Sequence, residues 1–166
     1  DKLDKGTRVD EVVASCRDAK KAGLTVHLTM MVGYPWEYKK DTMETVKLSK
    51  YLMRKGYADV LQSTVIVPYP GTPLWKEGIE KGWFRPGINP YDYERFDMAE
   101  PIFKTPDMTP AEVEGMCKRI YYVFLHPEYI LRHLTKIRSF EDVLYTLKGV
   151  KAVAGHLKDF SRPIHE

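Results

Sequence analysis

The sequence predicts an α/β fold with parallel strands, on three observations. Thr25-Val26-His27-Leu28-Thr29-Met30-Met31-Val32 is a strand-length run that breaks at Gly33-Tyr34-Pro35-Trp36-Glu37. Val65-Ile66-Val67 repeats the pattern and stops at Pro68-Tyr69-Pro70-Gly71-Thr72-Pro73-Leu74, because proline cannot donate to a ladder. Helical patterns precede and separate the two runs. Strand–turn–helix units in series describe consecutive β/α units, whose ligands sit at the carboxyl edge of the strands.

The elements follow in order. Thr7 with Asp10 opens a first helix carrying Val9, Val12, Val13, Cys16, Ala19 and Ala22, closed by Gly23 in the left-handed conformation. A strand over about 24–32 follows. Asp41 with Glu44 starts a second helix, with Val46, Leu48, Leu52 and Met53 inward, ending at Gly56. The second strand covers about 59–67 and a short helix about 73–81. Residues 82–107 are dense in Pro, Gly and aromatics, which argues for an ordered wrap packed on the domain. Thr109-Pro110-Ala111-Glu112 combines an N-cap, a proline at the first helical position and a capping-box glutamate. Its helix carries Val113, Met116, Cys117, Ile120, Tyr121 and Phe124 inward. His126-Pro127 breaks it, and Ile130, Leu131, Leu134 and Ile137 carry another helix. Ser139 with Asp142 caps a last one, with Val143, Leu144, Leu147, Val150, Val153, Ala154 and Leu157 expected inward.

Alternation along the strands points to chemistry. Val26, Leu28, Met30 and Val32 share one face; Thr25, His27, Thr29 and Met31 share the other. In the second strand Leu61, Ser63, Val65 and Val67 oppose Val60, Gln62, Thr64 and Ile66. A central parallel strand covered by helices is apolar on both faces. His27, Thr29, Gln62 and Thr64 break that rule. Two readings are open: a polar substrate cavity, or polar groups that satisfy one another inside a filled barrel.

Composition bounds the function. Hydrophobic residues are 43% and charged residues 30% of the 166, which excludes wholesale disorder. A formal charge of +3, scattered, gives no case for nucleic acid. No apolar run approaches the ~18 residues of a membrane span. Cys16 and Cys117, far apart on apolar helix faces, read as small hydrophobes of a cytoplasmic protein, not as a disulfide or metal pair. The opening Asp1-Lys2-Leu3-Asp4-Lys5-Gly6 reads as the middle of a longer chain.

The turns also carry a resemblance. Gly33-Tyr34-Pro35-Trp36-Glu37 with Thr45, the string Pro68-Tyr69-Pro70-Gly71-Thr72-Pro73-Leu74, and Lys5-Gly6-Thr7 resemble the late part of radical S-adenosylmethionine (SAM) enzymes of the branch with a cobalamin-binding domain. Tyr34-Pro35-Trp36-Glu37 and the tail around Phe124, Pro127, Ile130 and Gly155-His156-Leu157-Lys158-Asp159-Phe160 resemble the hopanoid-biosynthesis-associated members most closely. A glycine is usual in that family where Trp36 stands.

The resemblance implies the C-terminal portion of a TIM-like partial (β/α)6 barrel. Residues 1–82 would hold strands five and six with their helices, 83–107 the aromatic wrap and 108–166 a helical extension. It implies SAM and a [4Fe–4S] cluster in the parent protein, with cobalamin in an upstream domain, for methyltransferase or oxidoreductase-type radical chemistry. The cluster motif CxxxCxxC is absent, so the chain alone would be inactive and supplies no catalytic or metal-ligating residue. Carried onto matching positions, the adenine side of the SAM pocket is Val32, Gly33, Pro35, Val67, Pro68 and Tyr69. Glu37 reads as a carboxylate that organises the turn. The substrate is a small molecule, with a lipid-linked polyol, a porphyrin precursor and a peptide equally admitted. Its partners would be the remainder of the parent polypeptide and, through the open edge of the first strand, a second copy of itself.

Two other readings stand beside this one. A non-enzymatic α/β module would bind a partner protein through its aromatic wrap and helices. A nucleotide-binding domain is disfavoured, since neither a Gly-rich phosphate loop nor a Walker lysine is present.

Overall fold

The structure, a computed structural model, describes residues 5–98, 100–135 and 137–159. Helix α1 (Val9–Lys21) leads into β1 (His27–Val32), α2 (Lys39–Lys55), β2 (Val60–Val65) and α3 (Pro73–Glu80). After the wrap come α4 (Pro110–Tyr121), α5 (Pro127–Leu134) and α6 (Phe140–Asp159). Helices dominate. The sheet has two strands, β1 and β2, parallel and in register from His27↔Val60 to Val32↔Val65. This is α/β architecture as expected, but the described residues form a parallel pair and not a barrel.

Local chemistry explains the boundaries. Gly56 takes the left-handed conformation at the end of α2 (φ 72°), and Thr72 caps α3 by accepting from the Trp75 amide. At α4 Thr109 accepts from the Glu112 amide and Glu112 reaches back to the Thr109 amide, the full capping box. The start of α1 lies one residue beyond the expected cap: the Glu11 carboxylate accepts from the Arg8 amide at 2.9 Å. The strands are shorter than their apolar runs. At their amino ends Asp59 accepts the Val26 amide (2.9 Å) and the Lys20 ammonium (2.7 Å), which ties the two strand segments together before the ladder begins.

The two sheet faces differ. Leu28, Val32, Leu61 and Val65 pack with Val46, Leu52 and Met53 of α2 and with Val113, Met116, Cys117, Ile120 and Tyr121 of α4 in the main core. Burying one such aliphatic side chain contributes about 2 kcal/mol. The residues around Tyr34, Ile66, Phe84, Ile88, Ile102 and Phe103 form a second, aromatic core. Within it Phe84 pairs with Phe103 in an antiparallel bridge.

One expectation fails. Leu144, Leu147, Val150 and Ala154 of α6 are exposed, not inward, and so are Ile130, Leu131 and Leu134 of α5. A helical period identifies an apolar stripe but not what it faces. Phe160 and the side chains of His156 and Leu157 lie outside the described residues.

Candidate functional site

The carboxyl ends of β1 and β2 lie side by side and each runs into a turn. At the first, Gly33 has φ +89°, and the Glu37 carboxylate accepts the amides of Gly33 (2.7 Å) and Tyr34 (3.2 Å). Burial pushes the Glu37 carboxyl up, against the pull of those two amides. The group acts as an internal staple, the organising role read from its spacing. At the second turn the Tyr69 amide bonds to Val67 O at 3.1 Å, and Thr72 Oγ1 donates to Tyr69 O at 2.6 Å.

Of the six positions expected on the adenine side, Val32, Gly33, Pro35, Val67 and Pro68 are buried and Tyr69 is half exposed. The space that Gly33 leaves is used by the chain itself. A Cβ there would stand 2.9 Å from Val113 Cγ1 of α4 and 3.3 Å from Val65 Cγ1. Trp36 turns onto Tyr34, with ring centroids 5.4 Å apart, and meets the edge of Trp83 at 5.6 Å. As folded, the amides of Gly33 and Tyr34 are already engaged, and of the six positions only Tyr69 presents an exposed side chain.

The four cavity residues do share one face. Thr29 and Gln62 are register partners, His27 pairs with Val60, and Thr64 with Met31. That face is divided along its length. His27 and Thr29 are exposed and Gln62 is half-buried, whereas Thr64 is buried where the aromatic layer begins. The amino half is open and polar; the carboxyl half is roofed by Met31, Tyr34, Trp36 and Trp83.

Sequence reasoning missed the groups that close the outer edge of β2. Tyr121 Oη of α4 accepts the Ser63 amide (3.0 Å) and donates to Ser63 O (3.1 Å). Met98 O in the wrap accepts the Val65 amide at 2.8 Å. Tyr121 stood in the apolar stripe, and nothing local announced that its hydroxyl would serve a strand.

The described residues do not fit an iron–sulfur cluster. Cys16 and Cys117 are free, buried and on separate helices. Burial pushes the Cys117 thiol up to about 12, opposite to what a thiolate ligand needs. Among the described residues no group of His, Cys, Asp and Glu is placed to hold a metal. A cavity of about 320 Å³ lined by Thr25, Asp59, Arg132, His133 and Thr146 lies at the amino ends of the strands, away from the turns. No helix among the described residues is long and apolar enough to cross a membrane.

Two relatives place these features in context. The chain is 24% identical over 139 residues to an uncharacterized methyltransferase of Pyrococcus horikoshii, covering 83% of this chain and 28% of that protein. It is 25% identical over 146 residues to the bacteriochlorophyllide d C-8(2)-methyltransferase of Chlorobaculum tepidum, covering 87% of this chain and 31% of that protein. The chain therefore spans about a third or less of the length of the curated relatives it matches. No family model matches it.

These findings correct the family expectation. Both relatives are named as methyltransferases, neither as a hopanoid-associated radical SAM protein, and no family model supports that assignment. The physical reason is that glycine- and proline-rich turns follow from ending a strand and starting a helix, so such strings report a local geometry more strongly than a lineage.

Proposed function

We propose that this chain is part of a methyltransferase, with SAM as the methyl donor, and that it contributes the carboxyl-edge turns and one polar sheet face to the donor and substrate site. One observation carries the reading: two parallel strands in register deliver the 33–37 and 67–72 turns to the same edge, in a chain whose relatives are methyltransferases. SAM would supply an electrophilic methyl group. This chain's share is to offer Tyr69 as an exposed ring beside the turns and His27, Thr29 and Gln62 as hydrogen-bonding groups on an open face.

The finer form of the proposal is that β1 and β2 are rungs of a longer parallel sheet, and that the chain alone does not turn over. The outer edge of β1, unpaired among the described residues, and the short share of the relatives' length support it. No step is assigned to an iron–sulfur cluster or to cobalamin, since the cysteines of this chain do not suit a cluster.

Amide chemical shifts of the chain, followed during titration with S-adenosylhomocysteine, test the reading. Movements centred on Gly33–Glu37 and Val67–Thr72 are expected. Movements confined to the cavity around Arg132 and His133, or none at millimolar ligand, would sink it, as would methyl transfer by the isolated chain.

A further inference from the structure

Among the described residues two carboxylates are buried, Glu37 and Glu114, each 8% exposed. Glu37 accepts two backbone amides, so its charge is answered. Glu114, in the middle of α4, is treated differently. Among the described residues no group donates a hydrogen bond to its carboxylate, and no cation stands in ion-pair contact with it. Burial is the strongest influence on it and pushes the Glu114 carboxyl above its ordinary range. Lys118, one turn along α4, and Arg85 of the wrap pull it back, while Glu100 of the wrap adds to the rise. The Cys117 thiol on the same helix feels its charge, and β2, which α4 crosses, carries no charged side chain. Among the described residues no charged group of another helix or strand joins these.

The wrap charges that face Glu114 are occupied with one another. Arg95 Nη2 donates to Glu100 Oε1 at 2.7 Å, and Arg85 Nη1 donates to Pro101 O at 2.6 Å while lying 3.8 Å from the same Glu100 oxygen. Two guanidinium groups therefore serve Glu100 and its neighbour, and neither bonds to Glu114. The same stretch of the wrap touches the sheet through the Val65 amide, which donates to Met98 O at 2.8 Å. A neutral Glu114 suits this packing. An ionised one does not, because a buried charge without donors must either take back its proton or gain a partner. Arg85 can turn to it only by leaving Pro101 O, and water can reach it only where the wrap parts from α4. Either change moves the stretch that holds Met98, Glu100 and Pro101.

We propose that Glu114 is a proton-operated latch of the wrap: with its carboxyl protonated, Met98, Glu100 and Pro101 lie closed on α4 and the β2 edge, and on ionisation the bond from Val65 to Met98 opens and the wrap lifts there. The closed form binds the proton more tightly than the open form, so opening grows as pH rises above the ordinary carboxylate range. The same wrap supplies Trp83 to the roof over the polar sheet face, so the latch bears on access to that face. It does not depend on the methyl-transfer reading.

Hydrogen exchange at single amides of the chain, read by NMR from about pH 4 to about pH 8 and corrected for the intrinsic pH dependence of exchange, tests it. The Val65 amide should lose protection severalfold across that range. The Ser63 amide, two residues away on the same edge but bonded to Tyr121 Oη at 3.0 Å, should keep its protection. In Glu114→Gln, which keeps the shape and removes the charge, Val65 should stay protected throughout. Titration of the Glu114 carboxyl carbon in the parent chain needs no variant, and its midpoint should lie above the ordinary glutamate range and coincide with the loss at Val65. The proposal is overturned if Val65 protection does not change with pH, since Lys118 would then answer the charge in place. It is equally overturned if Ser63 and Val65 lose protection in step, which would mean that α4 leaves with the wrap. A Glu114→Gln chain whose Val65 amide follows the parent's pH dependence, or a Glu114 midpoint in the ordinary range, also overturns it.

Discussion

The two long edges of the sheet are treated in opposite ways. In this ladder the amides of Val60 and Ile66 bond to Val26 and Val32, so the even-numbered residues of β2 face β1 and the odd-numbered ones face outward. On that outward side Ser63 is bonded through both its backbone groups to Tyr121, and Val65 donates to Met98. The corresponding outward groups of β1 belong to His27, Thr29 and Met31, and among the described residues their amides and carbonyls meet no partner. One edge is finished by a helix and a loop; the other is left ready to pair. No lysine or proline blunts the β1 edge, the usual protection of a strand that ends a sheet. The contrast teaches that the pair is closed toward its C-terminal helices and open on the side where another strand would add.

The contrast can be broken most severely at Gly33, whose missing Cβ lets α4 seat against the sheet. Gly33→Ala combines a left-handed backbone with an overlap on Val113 and should lower unfolding free energy by about 3 kcal/mol in urea titration. An unchanged midpoint would mean that α4 does not need this close approach. Tyr121→Phe keeps the ring and strips the seal from Ser63. Leaving a buried amide and carbonyl unpaired should cost about 2 kcal/mol and speed hydrogen exchange at Ser63.

A smaller effect separates α4's polar tie to α2. The Lys39 ammonium, with the Thr109 amide, holds the Glu112 carboxyl down to about 2 from an ordinary 4.5. In that interval the unfolded chain binds the proton more tightly, so the tie is fully present above about 4.5 and is lost as pH falls toward 2. Glu112→Gln should flatten this acid limb in melts recorded across that range; a limb of unaltered slope would assign it elsewhere. Glu37, raised by burial, acts in the reverse sense, and its ionisation opposes folding as pH climbs above the usual carboxylate range. The least effect is expected at the open edge. Thr29→Pro removes an amide that points outward, so stability should stay within about 0.5 kcal/mol, while any edge-to-edge association seen in sedimentation should vanish. A large loss of stability would show that the β1 edge is paired after all.

Much of the architecture was readable residue by residue. Alternation assigned Leu28, Val32, Leu61 and Val65 to one face and His27, Thr29, Gln62 and Thr64 to the other, because successive side chains of a strand must point to opposite sides. The ends of helices were equally legible at Gly56, Thr72-Pro73 and Thr109-Pro110-Glu112, where a cap is settled within one turn of chain. The candidate site was half legible: the polar face and the Glu37 staple were visible, whereas the aromatic roof over Thr64 and the occupation of Gly33's space by Val113 were not.

Those hidden features depend on groups that meet only after folding. Tyr121 and Ser63 are 58 positions apart, and the Lys20–Asp59 clamp joins residues 39 apart. Periodicity could say that α6 is amphipathic and that Tyr121 belongs to a stripe, but not which stripe would be covered or which hydroxyl would seal an edge. Turns, caps and strand faces are decided by neighbours along the chain, where sterics and hydrogen-bond reach act over a few residues. Coverage and edge closure are decided by which distant surfaces compete for the same space, and only the packed molecule contains that competition.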